Sequence, residues 1–339
     1  MARIDGVQRP RAIVVGTGYA GTRHADALTA LGIPFVGPLP ARDVARDTSL
    51  LRDSGPDVVH VCAANDLHAP LVAAALDAKK HVVCEKPLAL DAATAEELAR
   101  RAERSGRLAV LGYNYRFLPM VVELMARVPT LGAVHDVRGG FLQDWLLMAN
   151  DTNWRIDAAR GGASRVIADI GAHWIDLIEH ATGRQAEAVV AHVGRLHGRA
   201  TEDHASLLVR LGGGLVGTCV LSQAAAGHRN DLEISIDGAS ASLTWRYERS
   251  DELWLGARDG SRVVTRDGVT SDAARRLAAT PSHPNEGRQN LLAAFYARVD
   301  GDERPPAAPL PTFGDGVRHL RLATAALESA RRAEWVEIG

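Results

Sequence analysis

Of the 39 basic residues only Lys79, Lys80 and Lys86 are lysines; the other 36 are arginines. Where arginine has so fully displaced it, a remaining lysine is a candidate for work that an always-protonated guanidinium cannot do, such as giving up or sharing a proton. Lys79 and Lys80 close a helix-like segment, where solvated charge suits the helix dipole. Lys86 instead lies in Cys84-Glu85-Lys86-Pro87, at the end of the apolar run HVVC. A lysine partly withdrawn from water at a strand end can have a depressed pKa and assist proton transfer; the plainer alternative is an ion pair with Glu85 or another carboxylate. A second set, Asp169, His173, Asp176 and His180, recurs at helical spacing and shares one helix face, with Ile170, Trp174, Leu177 and Ile178 on another. Acid–base work by His173, oriented by Asp169, is the economical reading. A metal would need ligands that nothing else in the chain supplies, so none is expected, and a solvated or structural helix face stays open.

Gly16-Thr17-Gly18-Tyr19-Ala20-Gly21 stands between the strand-like RAIVVG and a helix-like segment. In such a GxGxxG the first glycine allows the tight turn, the second lets backbone approach a pyrophosphate, and the third permits close helix packing. A dinucleotide site is expected there, against a purely structural turn. The acidic residue that would hold a ribose 2′-hydroxyl is missing after the second strand, which ends in Gly37-Pro38-Leu39-Pro40. Arg42 is nearby and could meet a 2′-phosphate, stack on adenine, or be a solvated loop arginine.

The elements that must position these groups are legible as a pattern. Short apolar runs at 11–16, 33–40, 57–64 and 81–84 alternate with helical segments, the last from Asp91 to Ser105, which predicts a parallel sheet covered on both faces. From about residue 133 the runs become hairpins: LLVRL and LVGTCVL around GGG, EISI and ASLTW around DGAS, LWLGA and RVVT around RDGS. That predicts an antiparallel sheet, with a helix over GASRVIADIGAHWIDLIEHATG and two more near the end of the chain.

Composition narrows the partners. The chain has 339 residues, enough for two domains, and its 39 basic and 41 acidic residues leave a net charge of −2, so no nucleic acid or anionic membrane is expected. No apolar run reaches membrane-span length, and the segment before Ile13 lacks the apolar core of a signal peptide, which predicts a cytoplasmic chain. Cys62, Cys84 and Cys219 are odd in number and far apart, so neither a disulfide framework nor a CxxC metal site is indicated.

Taken in order, GTGYAG, AANDLHAP at 63–70, CEKPLAL at 84–90, YNYRF at 113–117 and ADIGAHWIDL at 168–177 make the chain resemble, over nearly its whole length, the glucose-fructose oxidoreductase, inositol dehydrogenase and rhizopine catabolism (Gfo/Idh/MocA) family. FLQDWL at 141–146, NWRID at 153–157 and the stretch 227–253 resemble the branch containing levoglucosan dehydrogenase and related pyranoside or cyclitol dehydrogenases. The resemblance implies a doubly wound Rossmann domain over residues 1–118 and an α+β domain over 119–339 with an open, mainly antiparallel sheet. The C-terminal helix would be free to pack back on the first domain. It implies a catalytic set of Lys86, Asp169 and His173, with a Lys86–Pro87 bond often cis in relatives and aiming the lysine at the nicotinamide. NAD or NADP would contact Gly16, Gly18, Tyr19, Ala20, Gly21, Arg42, Ala64, Asn65, His68, Glu85 and Lys86. Substrate would meet Asn114, Arg116, Gln143, Trp145, Trp154 and Arg155 as well as Asp169 and His173. The implied activity is hydride transfer between nicotinamide and a secondary hydroxyl of a sugar or cyclitol, by a homodimer or homotetramer joined through the C-terminal sheet. Redox-neutral glycoside cleavage or epimerisation with bound NAD, and a non-catalytic sugar sensor, are the rival readings. Relatives usually carry a longer helix between about residues 40 and 50, beside the adenosine.

Overall fold

A computed structural model describes residues 11–53 and 55–339. The segment before Arg11, which bears on the signal-peptide expectation, lies outside the described residues. The chain divides into two compact units, one formed by the residues up to Phe117 together with His283–Val317, the other by Leu118–Ser282 and Arg318–Gly339.

In the first unit β1 (Arg11–Val15), β2 (Phe35–Leu39), β3 (Pro56–Val61), β4 (His81–Cys84) and β5 (Ala109–Leu111) form a parallel sheet in the order β2-β1-β3-β4-β5. Pro38 has no N–H for a ladder, and β2 accordingly lies at the sheet's edge. The strand order reverses between β1 and β3, the switch point at which sheets of this kind bind ligands beyond their carboxyl ends. Gly16, Ala64 and Lys86 all follow carboxyl ends of these parallel strands.

The division of the chain differs from the expected one. Residues 283–317, expected in the second domain, belong to the first unit. The reason is packing: the helix Glu286–Val299 puts Leu292, Phe295 and Tyr296 into one core with Ala12, Val14, Ala27 and Leu28. Each large apolar side chain withdrawn from water there is worth about 1.5–3 kcal/mol. Further along, the Leu111 N–H donates to the Pro311 carbonyl, so this segment continues along β5.

The second unit holds nine strands: β6 (Val134–Leu142), β7 (Ala186–Gly194), β8 (His204–Leu211), β9 (Leu215–Ser222), β10 (Asp231–Gly238), β11 (Ala241–Arg246), β12 (Glu252–Ala257), β13 (Gly260–Thr265) and β14 (Val336–Glu337). Their order is β13-β12-β11-β10-β6-β9-β8-β7-β14, antiparallel throughout except for the parallel β6–β9 pair. The three expected hairpins are β8–β9, β10–β11 and β12–β13. Register places Leu208, Thr218, Arg138, Ser235, Thr244, Trp254 and Val263 in one row across the sheet, hence on one face. Leu208, Trp254 and Val263 of that row are exposed, as are Val216 and Val220 two residues to either side of Thr218. Helices Pro119–Arg127 and Ala172–Thr182 pack against sheet strands of the same unit. Among the described residues no helix is long and apolar enough to cross a membrane.

The helix expected over 162–183 is interrupted. Residues Ile167–Gly171 form a π-turn, in which the Ala172 N–H reaches back five residues to the Ile167 carbonyl, before the α-helix Ala172–Thr182 begins. Asp169 lies in the π-turn and His173 in the α-helix, so the uniform stripe inferred from spacing is broken between them. Nor is the stripe solvated: His173 and Asp176 are buried.

Candidate active site

The glycine turn is shaped by two close approaches. At Gly16, φ is +125° and a Cβ would stand 2.2 Å from the Cys62 carbonyl oxygen; at Gly21 a Cβ would stand 1.8 Å from the Gly16 carbonyl oxygen. Neither position admits a side chain. Gly18 is the opposite case, since a Cβ there meets nothing within 4 Å. It is the N-cap of the helix Tyr19–Ala30, with no side-chain cap and no acidic residue in the first turn. Free N–H groups under open space are what a pyrophosphate requires, so these residues fit a dinucleotide. Gly18→Val is expected to leave the melting temperature unchanged while weakening dinucleotide affinity at least about tenfold, as read by calorimetry.

Tyr19 is 74% exposed, with the Arg23 guanidinium 5.2 Å from its ring centre, and Ala20 is half-buried. Beyond β2 the chain forms two short helices, Ala41–Arg46 and Ser49–Asp53, in place of a longer one. Arg42 is exposed on the first of them. Ala64 precedes a short turn, Asn65–Leu67, in which Asn65 is buried. His68 is also buried, with Nδ1 2.7 Å from the Pro87 carbonyl and Nε2 3.1 Å from the Ala63 carbonyl. Its ring therefore braces the turn against the cis Lys86–Pro87 segment rather than facing open space.

Glu85, expected at the cofactor, is committed inward. Its carboxylate accepts from His24 Nε2 at 3.1 Å and from Arg288 Nη2 at 3.2 Å. His24 Nδ1 lies 2.8 Å from His60 Nδ1, and His60 Nε2 lies 2.8 Å from the Tyr296 hydroxyl. With neutral rings one proton assignment satisfies the whole chain: Tyr296 O–H to His60, His60 Nδ1–H to His24, His24 Nε2–H to Glu85. Burial works to raise the Glu85 pKa, but the His24 hydrogen bond and the Arg288 charge outweigh it and hold the carboxyl well below its usual range. Burial lowers both histidines, His60 furthest. On unfolding each returns to about 6.5 and takes up a proton below that pH, so this contribution to stability is complete above pH 6.5 and is lost as pH falls. Unfolding free energy is expected to drop between pH 6.5 and 5.5 by up to about 1.4 kcal/mol per histidine, and less steeply in His60→Gln, as read by denaturant titration.

Two expected substrate residues also fall in this unit. Asn114 is half-buried in a short turn, Asn114–Phe117. Arg116 is 5% exposed, its guanidinium bound to Asp315 at 3.2 Å, so it latches that turn to the returning segment instead of offering a free charge.

In the second unit Asp169 is the centre of a polar chain. Its Oδ2 accepts from Gln223 Nε2 at 2.8 Å and its Oδ1 lies 3.4 Å from Arg155 Nε. Gln223 Oε1 accepts from Arg165 Nη1 at 2.7 Å, and Arg165 also binds Thr201 and Asp203. Asp203 receives Arg199 Nη1 at 2.7 Å as well, and Glu202 Oε1 accepts the Arg165 and Ile167 N–H groups at the start of the π-turn. Arg165, Glu202, Asp203 and Gln223 are all buried. His173 is buried with its ring 6.1 Å from that of Phe141. Nearby in sequence, the Trp145 indole donates to Gln143 Oε1 at 2.7 Å, and the Gln143 amide donates to Asn230 at 3.0 Å. Arg155 lies 4.3 Å from the centre of the Trp154 ring. The structure thus joins Asp169 to Arg155 and Trp154, and Gln143 to Trp145. Gln223, Arg165, Asp203 and Asn230 were not anticipated; Gln223 follows an alternating strand and carries no local signal.

Two family models match the chain, one for an oxidoreductase family with an NAD-binding Rossmann fold over residues 39–113, the other for a GFO/IDH/MocA C-terminal domain over residues 125–244. Levoglucosan dehydrogenase of Pseudarthrobacter phenanthrenivorans is 24% identical over 96% of this chain and 97% of its own. Among solved structures, an inositol dehydrogenase homologue complexed with NAD+ from Azotobacter vinelandii has a TM-score of 0.86 at 24% identity over 97% of both chains. A levoglucosan dehydrogenase complexed with NADH and L-sorbose has a TM-score of 0.86 at 25% identity over 98% of this chain and 100% of its own.

Proposed function

We propose that this chain, which belongs to the Gfo/Idh/MocA oxidoreductase family and carries its NAD-binding Rossmann domain, transfers a hydride between nicotinamide and a secondary hydroxyl or ketone of a sugar or cyclitol. The observation that carries this reading is the position of Lys86. The one lysine not at a helix end emerges at the carboxyl edge of the same parallel sheet whose first strand feeds the glycine turn.

In this reading Lys86 polarises the substrate oxygen and His173 takes or returns the hydroxyl proton. Asp169 holds a substrate hydroxyl, its own orientation set by Gln223 and Arg155. A bound nicotinamide supplies the redox partner. Gly16, Gly18 and Gly21 hold the pyrophosphate, and His68 and Glu85 act from behind by fixing the backbone around Lys86. Asn114, Gln143, Trp145, Trp154 and Arg155 are proposed to meet substrate. The names of relatives, a levoglucosan dehydrogenase, a myo-inositol 2-dehydrogenase and a levoglucosan dehydrogenase in complex with L-sorbose, support a polyol substrate. The exposed apolar face bearing Leu208, Val216, Val220, Trp254 and Val263 supports self-association through the second sheet.

The test combines calorimetry with NAD and NADP and a pyranoside and inositol panel followed by reduced-nicotinamide absorbance and product analysis. Dinucleotide-dependent oxidation of a polyol is the expected result. Failure to bind either dinucleotide overturns the reading in favour of a sensor, and product without net reduced nicotinamide overturns it in favour of redox-neutral chemistry.

A further inference from the structure

Arg160 closes the short helix Ala158–Gly161. Its Nε is sealed from solvent and has no hydrogen-bond partner among the described residues. Its guanidinium carbon lies 5.8 Å from the centre of the Trp154 ring, which Arg155 also approaches, at 4.3 Å. Two guanidinium groups thus share one indole. Arg155 pairs with Asp169 at 3.4 Å, a carboxylate also bound by Gln223, whereas no carboxylate stands within ion-pair distance of Arg160 among the described residues. Asp157, the acidic residue closest in sequence to Arg160, has its Oδ1 engaged by the Ala159 N–H at 3.0 Å as the cap of the same helix. Two guanidinium groups at one ring with one ion pair between them leave the Arg160 charge without a direct counter-ion. A half-buried guanidinium in that state is an anion receptor, because its planar fork matches carboxylate and phosphate oxygens.

We propose that Trp154, Arg155 and Arg160 receive an anionic substituent of the substrate, so that the enzyme acts on an acidic sugar, a uronate or a sugar phosphate, in preference to its neutral counterpart. The inference rests on the dehydrogenase reading and names the substrate class of that same site. Trp154 supplies an apolar platform for the ring, Arg155 links the platform to Asp169, and Arg160 binds the anion.

The test is steady-state kinetics with matched neutral and acidic sugars: glucose, galactose and mannose against their uronates and their 6-phosphates, each with NAD and NADP. The expected result is that at least one acidic member exceeds its neutral partner about tenfold or more in kcat/KM, the uronate and phosphate arms showing which anion is read. Arg160→Met should lower kcat/KM for that acidic sugar by about 10- to 100-fold relative to the neutral one, with Arg160→Lys retaining part of the preference. Preference for the neutral member in every pair that turns over, or a ratio unmoved by Arg160→Met, overturns the inference and leaves the dehydrogenase reading intact. Turnover of none of these sugars and of no member of the pyranoside and inositol panel, with either dinucleotide, overturns both.

Discussion

Lys86→Met is expected to lower kcat by about 10²- to 10⁴-fold with an unchanged melting temperature, and His173→Gln to do the same. Methionine keeps the length and apolar stem of the half-buried lysine, and glutamine keeps a donor and an acceptor in place of the buried imidazole, so the loss is one of chemistry. The double variant discriminates further. If the amine and the imidazole serve one oxygen in one transition state, removing the second group from an enzyme that has lost the first costs little more, and the double variant should sit near the slower single one. Effects that multiply would mean two independent roles, and turnover retained in either single variant would remove that residue from the mechanism. Rapid-quench measurement of a single turnover separates the chemical step from product release and is the appropriate readout.

What could be read from the sequence followed the range of the forces involved. The glycine turn and the placement of Lys86 were legible because both depend on neighbours: an apolar run that must be a buried strand, a glycine where backbone approaches within 2.2 Å, a lysine at the strand's end. The return of residues 283–317 to the first unit was not. Leu292, Phe295 and Tyr296 announce an apolar helix face, but a stripe does not say which core it fills. The π-turn was hidden for a related reason. Its first N–H, that of Ile167, is held by Glu202, 35 residues away, and a spacing rule that assumes an uninterrupted α-helix cannot register that carboxylate. Glu85 shows the same limit from the other side. Its place beside Lys86 suggested a cofactor contact, yet its partners are His24, 61 residues earlier, and Arg288, 203 residues later.

The second large effect follows from the long-range contact that bears most directly on the chemistry. In Gln223→Leu, half-buried Asp169 loses its 2.8 Å donor and buried Arg165 loses the acceptor of Nη1. A hydrogen bond to a charged group is worth about 1.5–3 kcal/mol, so kcat/KM should fall by roughly 10- to 150-fold, and the unpaired Arg165 donor should cost about 1–3 kcal/mol of stability. Gln223→Glu separates the two losses. A glutamate still accepts from Arg165 and so recovers most of the stability, but ionised it donates nothing and sets a second negative charge against Asp169. It should therefore be at least as inactive as the leucine variant while melting closer to the parent. The parent's amide cannot adopt the wrong orientation, because Arg165, itself fixed by Thr201 and Asp203, offers only donors to the oxygen side of Gln223. Activity in Gln223→Glu comparable to the parent would show that Asp169 does not depend on that donor, and the assignment of Gln223 as its positioning residue would fall.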